Sequence, residues 1–326
     1  MKLLDFIIYR ARHSAAIVGL SSFTLLTALF LASGATRPEV LPEFYTSFEQ
    51  LLGTLILLVL IPSFLLTFLI VGQRRSMRYG RELFDRHISD RDPNAWLRPI
   101  RARIPLAGAG GGFVYALTLN TPIVWLIGFS DLTFQEQAIV IGQVVLWTVV
   151  GVTLSVRLHT ALAFNRLGKT ANFDLLDIQR IGAFSKNGVD DVLVVVLLLA
   201  LSTVQSLDAR FRFENYAAAM LVAIPSATFL FLLPMISIHR RLVRARADSL
   251  EALTRSFDGA SRERTPEAIQ EIEALLQHRD RIRDTLTWPI DGSTYSRLAV
   301  YVIIPPIAWF GAAFVEFGVG RVLNGP

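Results

Sequence analysis

A chain of 326 residues that is 52% hydrophobic, with a mean hydropathy of +0.47, has too little polar surface to cover a soluble globule of its size. The absence of cysteine excludes disulfides, thiolate metal sites and cysteine nucleophiles. The high pI of about 9.8 does not call for nucleic acid, because 28 of the 32 basic residues fall in four segments that alternate with apolar stretches, the pattern of a membrane face set against anionic lipid headgroups.

Seven segments are long and apolar enough to be expected as spans, at about 15–33, 51–72, 105–129, 138–156, 190–207, 216–238 and 298–320. Ahead of the first, Lys2, Arg10 and Arg12 flank Leu3, Leu4, Phe6, Ile7 and Ile8, which suit a short interfacial helix or an extension of the span. The run from Ala15 to Ala32 is longer than the apolar region of a signal peptide, so a retained first helix is expected. After the second span, residues 73–104 carry nine arginines.

The third span opens on Pro105 and a glycine-rich stretch. Gly108 and Gly112 have the spacing that lets a second helix approach closely. The same glycines are no nucleotide loop, since no strand precedes them. Asn120 and Thr121 stand just before Pro122, and Gln143 lies in the fourth span. Gly168-Lys169-Thr170 matches the end of a phosphate-binding loop, but Ala163 occupies the position of its first glycine, and no nucleotide is expected.

Asp174 and Asp177, three apart, could hold a magnesium ion on a lipid diphosphate, in a spacing that resembles part of the first aspartate motif of membrane-embedded prenyltransferases. No further aspartate follows at Ile181 and no second aspartate-rich loop appears, so a helix cap at Asn172 or Asp174 is the simpler expectation. Asp190 and Asp191 are expected to cap the fifth span in the same manner, and Gln205 lies near its far end.

Residues 239–297 hold eleven basic and ten acidic groups and are expected to form a helical hairpin. Its first helix continues the sixth span to Phe257, with Glu251 and Arg255 paired, and Gly259 stops it. Thr265 and Pro266 start the second helix, whose Ile269, Ile272, Leu276, Ile282 and Leu286 form an apolar stripe, and Trp288-Pro289 ends it. That stripe packs either on the rest of the chain or on a second copy.

Prolines inside the spans, at Pro62, Pro122, Pro225, Pro234 and the pair Pro305-Pro306, predict kinks or hinges. Glu316, an ionisable group inside the seventh span, is the leading polar candidate for a permeation path, ahead of Asn120, Thr121, Gln143 and Gln205. The five histidines, His13, His87, His159, His239 and His278, form no HExxH or HxH pair, and no G-x-S-x-G occurs, so no catalytic residue and no cofactor is expected.

Loop charges orient the array. Only Arg37, Arg210, Arg212 and Arg321 fall on the side opposite the four basic segments, which places the N-terminus in the cytoplasm and the C-terminus outside. Seven is the one count under which every loop obeys the rule. The expected fold is thus an all-α polytopic protein of the cytoplasmic membrane: one transmembrane domain over residues 1–326, with cytosolic segments at 73–104, 157–188 and 239–297.

In topology this resembles the insect odorant and gustatory receptor channels. Thr294-Tyr295 is shared with a motif of that family's last helix, although here the pair precedes the span and no Gln-Phe follows. The resemblance implies a homo-tetrameric cation channel with the seventh helix lining its pore. A homo-oligomeric channel or transport protein, in contact with anionic lipid, is therefore the first expectation for function. A non-conducting scaffold or sensor docking a cytosolic partner comes second, and a magnesium-dependent enzyme on a lipid diphosphate third.

Overall fold

A computed structural model of the chain describes residues 14–37, 42, 45, 47–87, 102–120, 128–170, 181–202, 204, 213–260, 266–290, 292, 294–300 and 303. Among them the regular structure is helical throughout: α1 (Ser14–Ala32), α2 (Phe48–His87), α3 (Arg103–Tyr115, continued by a π-helical turn over Ala116–Asn120), α4 (Phe134–Gly168), α5 (Gly182–Leu201), α6 (Phe213–Ala260) and α7 (Pro266–Asp284). Four helices are long and apolar enough to cross a membrane, at Ser14–Ala32, Phe48–Leu83, Phe134–Gly168 and Met220–Phe257, which is compatible with a membrane protein. The expected third, fifth and seventh spans extend beyond the described residues, the seventh almost entirely.

Local signals explain the helix ends. Gly34, at φ 74°, closes α1 with a Schellman pattern in which the Ala35 amide donates to Phe30 O at 3.1 Å and the Gly34 amide to Leu31 O at 3.2 Å. At the start of α4, Thr133 and Glu136 form a capping box: the Glu136 amide donates to Thr133 Oγ1 at 3.3 Å, and the Thr133 amide to Glu136 Oε2 at 2.9 Å.

Successive helices run antiparallel. Arg74 near the arginine-rich end of α2 donates to Ser14 Oγ at the start of α1 at 2.8 Å, while Leu26, Phe30 and Ala35 pack with Leu51, Leu55 and Leu58 at the opposite end. Gly108 and Gly112 of α3 lie directly against the α4 backbone, Gly108 beside Gly151 and Ser155 and Gly112 beside Trp147, so a Cβ at either position would collide. Helix α4 lies parallel to α6, where Asn165 Nδ2 donates to Leu233 O and Ser237 Oγ donates to Asn165 O, both at 2.6 Å.

At 40, 35 and 48 residues, α2, α4 and α6 measure about 60, 52 and 72 Å at 1.5 Å per residue, far beyond a hydrocarbon layer of about 30 Å. Their excess lies at one end, around a core of Leu83, Phe164, Leu167, Phe184, Met235, Ile238 and Leu242. Helix α6 passes through Pro225 and Pro234 without interruption and ends one residue beyond Gly259. Helix α7 folds back along it: His239 Nδ1 donates to Thr287 O at 3.0 Å, its ring stacks on Trp288 at 4.0 Å, and Arg246 donates to Arg283 O. Of the α7 stripe, Ile282 is buried, Ile272 and Leu276 are half-buried, and Ile269 and Leu286 are exposed. Helix α7 ends at Asp284, four residues before Trp288, and Glu251 pairs with Arg255 at 2.7 Å.

Candidate functional site: a buried ion pair beneath an apolar crevice

The expected capping role of Asp190 and Asp191 is corrected by the structure. Helix α5 begins at Gly182, with no acidic residue in its first turn, so both aspartates lie well inside it. Asp191 is 1% exposed and meets Arg157 of α4, itself 2% exposed: Arg157 Nε donates to Asp191 Oδ1 at 2.6 Å. Arg157 also donates from Nη1 to Ser76 Oγ of α2 at 2.9 Å and from Nη2 to Asn187 Oδ1 of α5 at 3.2 Å. Its guanidinium carbon lies 5.6 Å from the centre of the Phe68 ring.

The cluster is wired to three helices. Ser76 Oγ lies 2.6 Å from Asn187 Oδ1 and 2.9 Å from Gly72 O, so its single proton serves one or the other while its lone pairs accept from Arg157. Thr160 Oγ1 and Gln73 Oε1, 3.0 Å apart, join α4 to α2 one turn further along. Asp190 points the other way, toward the Tyr79 hydroxyl at 3.0 Å and Arg75 at 3.7 Å. A buried charge is tolerated only when it is paired and hydrogen-bonded, and each of the three guanidinium nitrogens of Arg157 has a partner.

On the side of the cluster away from the Phe164–Phe184 core lies an apolar crevice of about 140 Å³. Its walls come from α2 (Leu65, Phe68), α4 (Trp147, Thr153), α5 (Val194, Leu198) and α6 (Val222, Leu230), and Arg157 and Asp191 form one end. That volume is close to the roughly 150 Å³ of an engineered apolar cavity that takes up benzene. Two of the lining residues each keep a buried polar atom, Trp147 Nε1 and Thr153 Oγ1, without a hydrogen-bond partner among the described residues.

The residues singled out from sequence are dispersed. Gly108 and Gly112 are at the α3–α4 contact, Gln143 is half-buried on α4, Pro225 is exposed on α6, and Asn120 ends the π-helical turn after α3. Thr121, Pro122, Asp174, Asp177, Gln205, Pro305, Pro306 and Glu316 lie outside the described residues. Gly168-Lys169-Thr170 is the C-terminus of α4, where the Lys169 and Thr170 amides donate to Arg166 O and Leu167 O. No group of three or more acidic or histidine side chains gathers as a metal site among the described residues.

Sequence reasoning singles out neither Arg157 nor Asn187, and gives Asp191 a capping role in place of the ion pair. In the sequence Arg157 stands as one basic residue among those of residues 157–188. A signal was available: Thr153, Arg157, Thr160 and Phe164 recur at spacings of four, three and four along one helical face, and Asn187 and Asp191 are four apart. No family model, no curated protein and no solved structure matches the chain.

Proposed function

We propose that the chain is a transport- or receptor-type membrane protein that accepts a hydrocarbon chain from the bilayer into the crevice between α2, α4, α5 and α6. In this proposal the chain crosses the cytoplasmic membrane seven times with its N-terminus inside. The ion-pair cluster then sits at the cytoplasmic boundary, below the helical layer. The observation that carries the proposal is the crevice itself, whose apolar wall ends on the buried, hydrogen-bonded Arg157–Asp191 pair. A permeating ion would lose its hydration against such walls without gaining ligands, whereas a hydrocarbon chain loses nothing.

Filling the space tests this. Ala223, half-buried on the rim, replaced by Trp puts an indole into the crevice. Binding of radiolabelled monoolein to the purified protein should fall at least tenfold in Ala223→Trp with the melting temperature held or raised; unchanged binding would count against the proposal. Sidedness has its own test, since each introduced cysteine is the sole thiol. Arg37→Cys should react with an impermeant maleimide on intact cells, and Arg246→Cys only in inverted vesicles.

The ion-conducting alternative keeps its proposed element, the seventh span with Glu316. Flux in proteoliposomes that Glu316→Ala leaves unchanged would remove that residue from any conduction path.

A further inference from the structure

We infer that the crevice recognises its ligand by the methyl end of a hydrocarbon chain, taken in tail first, and that it does not read the head group. The inference rests on the crevice reading above and adds the orientation of the chain and the basis of selection.

The lining offers an incoming polar group nothing to bond. Ser202 Oγ donates to Leu199 O at 2.6 Å and Ser226 Oγ to Val222 O at 2.5 Å, so both hydroxyl protons are used within their own segments. Trp147 Nε1 and Thr153 Oγ1 are sealed inside the packing and present almost no surface to the space. Arg157 and Asp191 are 2% and 1% exposed and turn their charges on each other, while Ser76 and Asn187 take the other two guanidinium nitrogens. What the space itself meets is aliphatic and aromatic carbon.

The crevice is also closed at one end. Its lining runs from Leu146 to Arg157 on α4 and from Asp191 to Ser202 at the end of α5, about 16 Å along each axis. Beyond Arg157 and Asp191 the same helices close on Phe164 and Phe184, both fully buried, so a chain that enters presents its end to that wall. Chain carbons alone fill about 140 Å³, and the head group stays outside. A methyl end drawn from the bilayer exchanges one apolar surrounding for another and supplies contacts that the walls of a void lack.

Selection follows from what the crevice refuses. A hydroxyl on the last carbon of the chain would be carried to the closed end and buried with no partner, a cost that it escapes at the bilayer surface. A carboxylate, amine or glyceride head stays beyond the Leu146 and Ser202 end, far from Arg157 and Asp191, whose charges are already paired. The chain end is thus read and the head is not.

The test is displacement of radiolabelled monoolein from the purified full chain in digitonin, a detergent whose steroid body has no linear chain to compete. Unlabelled oleate, oleylamine and oleyl alcohol should displace it with affinities within about fivefold of one another. Oleate carrying a hydroxyl on its terminal carbon should bind at least about tenfold more weakly than oleate, whereas oleate with the same hydroxyl beside the carboxylate should stay within the fivefold band. A smaller loss from the terminal hydroxyl, an equal loss from both hydroxyls, or head groups that spread beyond fivefold would overturn tail-first recognition while leaving the crevice intact. No binding of monoolein, or binding that a folded Ala223→Trp variant leaves untouched, would overturn the crevice proposal together with this one.

Discussion

Helices α2, α4, α5 and α6 meet twice, and the two meetings differ. Toward the arginine-rich end they close around Phe164 and Phe184, whose rings pack edge-on at 5.9 Å, and Leu83, Met235, Ile238 and Leu242 fill the remaining space with no measurable exposure. On the other side of Arg157 and Asp191 the same four helices leave a crevice and two unpartnered polar atoms. Close packing is the ordinary state of a helical interior, so a void bounded by a fixed polar cluster is a structural feature and not slack. The cluster lies between the packed core and the crevice.

Breaking the boundary should have the largest effect. Asp191→Leu leaves the Arg157 charge buried and unpaired and should cost about 3–5 kcal/mol, while the double change Arg157→Met with Asp191→Leu should recover most of it. Denaturant titration in detergent, read by circular dichroism, measures both; a single variant as stable as wild type would remove the cluster from its boundary role. The two packed regions should then separate. Phe184→Ala opens a cavity in the closed core and should cost about 3–5 kcal/mol, whereas Leu198→Ala, beside space already open, should cost about 1–2 kcal/mol by the same titration. Equal losses would mean that the crevice is as tightly packed as the core.

Smaller effects sharpen the outline. Gly112→Leu forces a side chain into the α4 backbone and should cost about 1–3 kcal/mol while loosening α3. Faster proteolysis within residues 103–115 would show this, and an unchanged digestion pattern would argue that α3 packs elsewhere. Smallest is Glu251→Ala. It removes an exposed pair with Arg255 on the α6 extension and should shift stability by only a few tenths of a kcal/mol.

The segments that became α1, α2, α4 and α6 were legible because runs of apolar residues about 20 long have few alternatives. Gly108, Gly112 and Pro266 were legible because close approach and helix starts demand those residue types locally. The ion pair was not. Arg157 and Asp191 are 34 positions apart, and Ser76 is 81 from Arg157, so their meeting depends on which ends of which helices share a level. An arginine after an apolar run looks like a charge left at the membrane surface, and two aspartates before one look like a cap. What distinguishes them is burial, and burial belongs to the assembled bundle.

The crevice was invisible for a related reason. Its walls are ordinary valines and leucines, and only the failure of Thr153 and Trp147 to find partners marks the place. A sequence gives the inventory of donors, and the packing decides which of them go unanswered.

Photochemical cross-linking tests the central claim most directly. A monoacylglycerol with a diazirine in mid-chain, irradiated with the purified protein and mapped by mass spectrometry, should label the crevice residues Leu65, Val194 and Leu198, and excess monoolein should suppress the labelling. Labelling confined to outward-facing residues such as Leu20, Leu25 and Phe229 would mean that hydrocarbon only coats the helices, and would contradict the account.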